Sequence, residues 1–288
     1  MNRSRRFQHA DDAVSSVVGM ILILAIATAM IATIYAVGIP AIDAARHTVH
    51  MQSIQNHMGI LQSDIGDLKG PLVGVGPSRR TAMHMGGGAI TIMPDAPNTT
   101  IQVNFGNTTG THNVFNTSLR VGNIECTLRD DSVVFENGAV IVRFAHGIPI
   151  MTSQPDNMFI TPAGGTNISI HLRMVNLTGP LSSVGGAGVV SVDSRFVGFD
   201  RNIRNHPVAT TLNRNVTITI TSEYHQAWAR FFEDELIGAG LIRTGLGAGT
   251  GFQIHTTGNV VTIGIHGKTA GDDIHLSVHE TIIGSSVR

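Results

Sequence analysis

Between Asp12 and Asp43 the chain runs for 30 residues without a charge, AVSSVVGMILILAIATAMIATIYAVGIPAI. As a helix this stretch measures ~45 Å, enough to cross a hydrocarbon core of about 30 Å. Inside a soluble protein it would need apolar partners on every side. Pro40 removes one backbone donor and predicts a kink near the far end of the run. The pattern then narrows to a stripe. Met51, Ile54, Met58, Leu61, Ile65 and Leu68 recur at steps of three and four, with Gln52, Gln55, Asn56, Gln62, Ser63 and Asp64 elsewhere. That spacing predicts an amphipathic half-helix docking against the following domain or a neighbouring subunit. Lys69, Gly70 and Pro71 then supply a stop.

From about residue 72 the period changes to two, the signature of strands. Residues 89–93, 101–105, 119–121, 124–128, 133–135, 140–144, 168–174, 189–192, 216–221, 252–255, 260–265, 274–278 and 281–283 show it. Asn137-Gly138 between two of them predicts a hairpin with a type I′ turn. One helix interrupts the strands at 223–237, with Ser222 as its expected cap and Tyr224, Trp228, Phe231 and Phe232 as an aromatic core face. Glu233, Asp234 and Glu235 fall near its C-terminus, where solvent is their expected environment. The fold class this predicts is α+β: a long N-terminal hydrophobic helix, then a mainly antiparallel β-sandwich-like head with one short helix.

Composition narrows the compartment. A formal net charge of −1 leaves no basic footprint for nucleic acid. With 14% charged residues and 33 glycines, solubility must come from neutral polar groups or attached sugars. Cys126 is the only cysteine, so no intramolecular disulfide supports the fold. It shares a strand face with Ile124 and Leu128 and reads as a small buried residue. Beyond the helix lie six N-x-S/T sequons, at Asn98, Asn107, Asn116, Asn167, Asn176 and Asn215, which mark candidate glycosylation sites in surface loops and strand ends.

Candidate chemistry is sparse. The glycine-rich run at 245–251 has a helix before it and a strand after it, the reverse of a dinucleotide-binding turn, and reads as a loop. His275 and His279, two of 14 histidines, share a strand face near His266, but no cysteine or helical Glu-x-x-His set accompanies them. No G-x-S-x-G motif occurs, and the paired acids Asp130-Asp131 and Asp272-Asp273 would point to opposite faces of a strand, which marks them as turn residues. We therefore assign no catalytic, cofactor-binding or metal-binding residue and expect no enzyme activity and no cofactor.

The N-terminus carries a recognisable order of residues. Arg3, Arg5 and Arg6 come first, then Asp12, then Ala13, then Val14-Ser15-Ser16-Val17-Val18-Gly19 opening the apolar run. A common secretory signal is cut after its apolar region, whereas here the small residue stands before it. This arrangement resembles the prepilin-type leader of archaeal type IV pilins and archaellins. Their pattern is a short basic leader, a charged residue, Gly or Ala at the cut, and V-S-x-V-I/V-G beyond. The chain departs from it at Asp12, where Lys or Arg is common, at Ala13, where Gly is common, and at Ser16, where Pro or Glu is common.

The resemblance covers about residues 1–45 and implies a class III leader at 1–13, cut between Ala13 and Val14 beside Asp12. It further implies a helix over 14–70 that spans the membrane and then enters a filament core, and an extracellular β-rich domain over 71–288. It implies as partners the membrane, a prepilin peptidase and filament assembly machinery, with a homopolymer or a copolymer with other pilins as the product. The function it implies is that of a structural pilin-like subunit, for adhesion or surface interaction. A second reading stays open, that of a membrane-anchored extracellular binding or enzymatic domain that never polymerises. In both, the arginines stay inside and the C-terminal domain lies outside.

Overall fold

A computed structural model describes residues 5–68, 76–94, 96, 99–107, 113–145, 147–156, 158–162, 167–205, 214–245, 250–267 and 274–288. The chain divides into two compact units, residues 1–52 and 53–288.

The first unit is helical. Helix α1 spans Arg5–Thr33, a π-helical turn spans Ile34–Gly38, and α2 begins at Ile39 and runs to Leu68. The expected kink takes the form of that π turn. Pro40 has no N–H, and its ring crowds the carbonyl four residues earlier. In the widened turn the Ile39 N–H donates to the carbonyl of Ile34, five residues back. The two threonine hydroxyls in the apolar run are satisfied within the helix. Thr28 Oγ1 donates to the carbonyls of Leu24 and Ala25, and Thr33 Oγ1 to that of Ala29. Such back-bonding lets Thr sit in an apolar helix without an outside partner.

Among its described residues the second unit contains three sheets. Five strands form the first, in the order β1 (Ser78–His84), β12 (Val189–Asn205), β16 (Ile274–Val287), β10 (Ile168–Thr178) and β9 (Met158–Pro162). Six form the second, in the order β11 (Ser182–Gly185), β2 (Ala89–Met93), β5 (Asn123–Leu128), β6 (Asp131–Glu136), β7 (Ala139–Arg143) and β8 (Ile150–Ser153). The third runs β14 (Gly251–Thr257), β15 (Val260–Gly267), β13 (Arg214–Thr221), β3 (Thr100–Asn107) and β4 (Asn113–Arg120). Among the described residues every strand pairing is antiparallel except β10 with β16. Among the described residues, α3 (His225–Gly238) and the end of α2 from Ser53 onward complete the unit.

The head is thus mainly antiparallel with one short helix, and its sandwich-like packing is made by three sheets. One apolar core joins them, with Val134 and Ile141 from the six-stranded sheet, Ile170 and Leu276 from the first, Val103 and Ile263 from the third, and Trp228 and Phe232 from α3. All six residues of β6 are buried. The sheet is therefore covered on both faces at this strand, polar Asp131, Ser132 and Glu136 included.

The amphipathic stripe docks as its spacing predicts. Ile54, Met58, Leu61, Ile65 and Leu68 are all buried. Gln62, polar but also buried, donates from Nε2 to the carbonyls of Gly138 and Gln154, both at 2.7 Å. Asp64 accepts a 2.6 Å hydrogen bond from Thr81 of β1, and Asp67 pairs with Arg79 at 3.3 Å. The helix stops at Leu68, and Lys69, Gly70 and Pro71 lie outside the described residues.

Three local expectations change. The 189–192 segment is the start of the 17-residue β12, whose two register shifts, at Phe196/Gly198 and Phe199/Arg201, break the period-two pattern that would have extended it. Segments 274–278 and 281–283 are one strand, β16, in which the consecutive residues Glu280 and Thr281 are both buried. The aromatic helix begins at His225, with Tyr224 at its N-cap and no side-chain cap. Ser222 Oγ instead accepts the Tyr224 N–H at 2.9 Å, fixing the turn that leads into the helix.

Candidate functional site

The apolar helix is the first candidate. Asp12, Ala13 and Val14, the expected cleavage residues, lie within α1, and Met1 to Ser4 lie outside the described residues. From Val17 the helix carries a stretch long and apolar enough to cross a membrane, and none of that stretch is buried within the chain. Met20 is 76% exposed and Ile23 71%. Exposed surface this apolar calls for a covering, whether lipid or protein.

The second candidate lies under α3. Tyr224, Trp228, Phe231 and Phe232 are all buried, as the sequence predicts, and the three helix rings meet with centroids 5.2 to 6.4 Å apart. What the sequence did not announce is their anchor, Glu136, which is only 1% exposed. Trp228 Nε1 donates to its Oε1 at 2.6 Å and Ser222 Oγ to its Oε2 at 2.9 Å. Burial pushes the Glu136 carboxyl up to about 7, against the two hydrogen bonds, which favour the charged form. The signal was present in the alternation. Glu136 closes β6 on the same face as Val134, opposite Ala139 of β7, and that face is core.

Beside Glu136 lies a cavity of about 180 Å³ that Asn123, Glu125 and Glu223 also line. Tyr224 donates its hydroxyl to Glu125 at 2.9 Å, and Arg143 lies over the Tyr224 ring, 5.1 Å from its centroid, while pairing with Glu223 at 3.4 Å. Both Glu136 oxygens already accept hydrogen bonds, so the arrangement tethers α3 to the six-stranded sheet. Among the described residues no group of three or more His, Cys, Asp or Glu is placed to hold a metal ion. His279 Nε2 and Ser277 Oγ lie 2.9 Å apart on β16. Cys126 is buried, and burial raises its thiol to about 12, which keeps it protonated at neutral pH.

The glycine-rich run expected to be a loop ends in Gly251, the first residue of β14, and its residues 246–249 are outside the described set. At its end Gly251 has φ +76°, and a Cβ there would collide with the Ile242 carbonyl. Glu233 pairs with Arg243 at 2.6 Å and Asp234 is exposed, so these two acids face the surface. Asp131 accepts the Ala145 N–H at 2.7 Å beside the Arg129-Asp130 turn, and Asp272 and Asp273 are outside the described residues.

The sequons differ in setting. Asn116 is exposed on β4, and Asn215 is half-buried on β13. Both stand on one face of the third sheet, since Asn116 is opposite Asn104, Asn104 opposite Thr217, and Asn215 precedes Thr217 by two residues. Asn107 ends β3, and Asn167 is half-buried just before β10. Asn176 lies inside β10 with its Nδ2 donating to Glu280 at 2.9 Å, and Asn98 is outside the described residues.

No curated protein and no solved structure matches the chain. Residues 13–245, well over half its length, match a family described as a family of unknown function (DUF7289), and the chain belongs to that family.

Proposed function

We propose that this protein is a pilin-like structural subunit of an archaeal type IV surface filament, held in the membrane by its N-terminal helix before assembly. The observation that carries the reading is the apolar helix whose membrane-length stretch is wholly unburied within its own chain. Its sequence position agrees, because a small residue precedes the run and a V-S-S-V-V-G start opens it. The family match also begins at residue 13, beside the peptide bond expected to be cut. In this reading Val14 becomes the mature N-terminus, the helix is stored in lipid and then enters a bundle of identical helices, and the β-rich head faces the medium. The role is adhesion or surface contact, carried by the head and its sugars, without catalysis.

The test is the mature N-terminus. Mass spectrometry of native protein should find a chain starting at Val14, and an Ala13→Arg variant should keep its leader while still inserting into membranes. A native chain that retains Arg3, Arg5 and Arg6 in an uncut N-terminus selects the anchored, non-polymerising domain instead. A cut near Ile42 removes both readings.

A further inference from the structure

The outer face of the first sheet holds a depression of about 570 Å³, outside the aromatic helix and its cavity. A ligand pocket for a small molecule falls in this size range. Strand register fixes how it is built. Arg80 of β1 stands opposite Asp193 of β12, which stands opposite Ser286 of β16. Two residues along, Ser78, Arg195, Gly284 and Thr178 form a second row across four strands. Rows two residues apart lie on the same sheet face, ~7 Å from each other.

Gly284 leaves a gap in the second row. It lies inside a 14-residue strand with no positive φ, so the backbone does not demand glycine there. A Cβ at this position would meet Val197 Cγ2 at 3.3 Å and begin to fill the hollow. Glycine inside a strand weakens it and often marks a place where another group comes close.

The charges around the gap are mostly positive. Asp193 is the one carboxylate among the side chains that line it. It is held by the Arg80 fork, at 2.6 and 3.3 Å, and by Arg288 at 3.6 Å. That pairing keeps Asp193 ionised well down in pH, with the Arg80 hydrogen bond as the main cause. Two guanidiniums therefore share one carboxylate, and the third, Arg195, has no acidic partner among the described residues and stands beside the gap. Its neighbours Ser78, Thr178 and Ser286 offer hydroxyls.

We infer that this depression binds an acidic sugar, its anionic group taken by Arg195 and its ring seated over Gly284 against the hydroxyls. A guanidinium fork matches the two oxygens of a carboxylate or a sulfate ester, and the hydroxyls match a pyranose. Arg80 and Arg288 hold the positive potential in place while Asp193 fixes their positions. The inference is independent of whether the chain polymerises.

Full-length protein in detergent micelles should be titrated with fluorescently labelled maltohexaose, sulfated maltohexaose and oligogalacturonate at physiological salt. At least one charged sugar should bind ten times more tightly than the neutral one, and which one does so separates sulfate from carboxylate. Arg195→Gln should weaken that binding about tenfold, the loss of one charge-assisted hydrogen-bond pair. Arg195→Lys, which keeps the charge but not the fork, should fall between. Arg230→Gln, an exposed arginine on α3, controls for general charge. Equal affinity for the three sugars, or an Arg195→Gln loss no greater than that of Arg230→Gln, overturns the inference.

Discussion

Trp228 Nε1 donates a 2.6 Å hydrogen bond to Oε1 of Glu136, joining the first turn of α3 to a carboxylate that is almost wholly removed from water. The bond crosses 92 residues of sequence and attaches α3 to the β6–β7 hairpin. Since α3 also packs into the core shared by three sheets, this contact ties that core to the hairpin.

The first expectation concerns pH. Glu136 is raised from an ordinary glutamate value to about 7 in the folded head, so between roughly pH 4.5 and 7 the folded state holds a proton that the unfolded chain has lost. Its contribution is fully present below about 4.5, is lost as pH rises to 7, and is flat above. The total is on the order of 3 kcal/mol. Glu136→Gln mimics the neutral form and should flatten this part of the profile. Thermal melts from pH 4.5 to 8 check it, and an unchanged slope in the variant would show that another group titrates there.

Removing the ring should be costly. Trp228→Ala deletes a fully buried side chain and leaves Glu136 with Ser222 alone, for a loss of about 3–5 kcal/mol. Chemical denaturation measures it. A variant that melts within a degree or two of the parent would mean that the ring is not packed as described.

Glycan occupancy should follow exposure and hydrogen bonding. Asn116 is exposed, whereas the Asn176 Nδ2 that would carry a sugar donates to Glu280 within a central strand. Glycopeptide mass spectrometry of native protein should find sugar at Asn116 and none at Asn176. The reverse pattern would place strand β10 differently.

If the apolar helix packs in a filament, its small residues set how close its neighbours come. Replacing Ala25, Ala29 and Ala32 together by Leu preserves hydrophobicity and adds bulk. Electron microscopy should show filaments lost while membrane content stays normal. Normal filaments from this triple variant would count against a tight helical core.

The legible parts of this protein are those where a local pattern alone dictates the outcome. An uncharged run of 30 residues leaves no option but an apolar helix, and a 3-4-3-4-3 stripe from Met51 to Leu68 leaves one face to bury. Asn137-Gly138 specified its turn because few residues accept positive φ, and the structure gives +48° and +84°. Even there the tertiary structure adds a role, for Asn137 Oδ1 accepts the Val175 N–H at 2.8 Å and ties the turn to β10. The bulged β12 hid most of its length because each extra residue reverses the alternation by which a strand is recognised. β1 hid differently, as an edge strand with four of its first five positions polar.

By itself, then, the sequence determined the long helix, its docking stripe, the strand-rich head and the aromatic face of α3, all of which depend on the spacing of neighbours along the chain. Only the tertiary structure decided that three sheets share the core, that Glu136 holds Trp228, and that Arg195 stands beside a gap at Gly284. Each of these joins residues far apart in sequence, through strand order and register that no local period encodes. A glutamate, a glycine and an arginine look ordinary along the chain. Burial, pairing and the row of side chains across a sheet give them their particular chemistry.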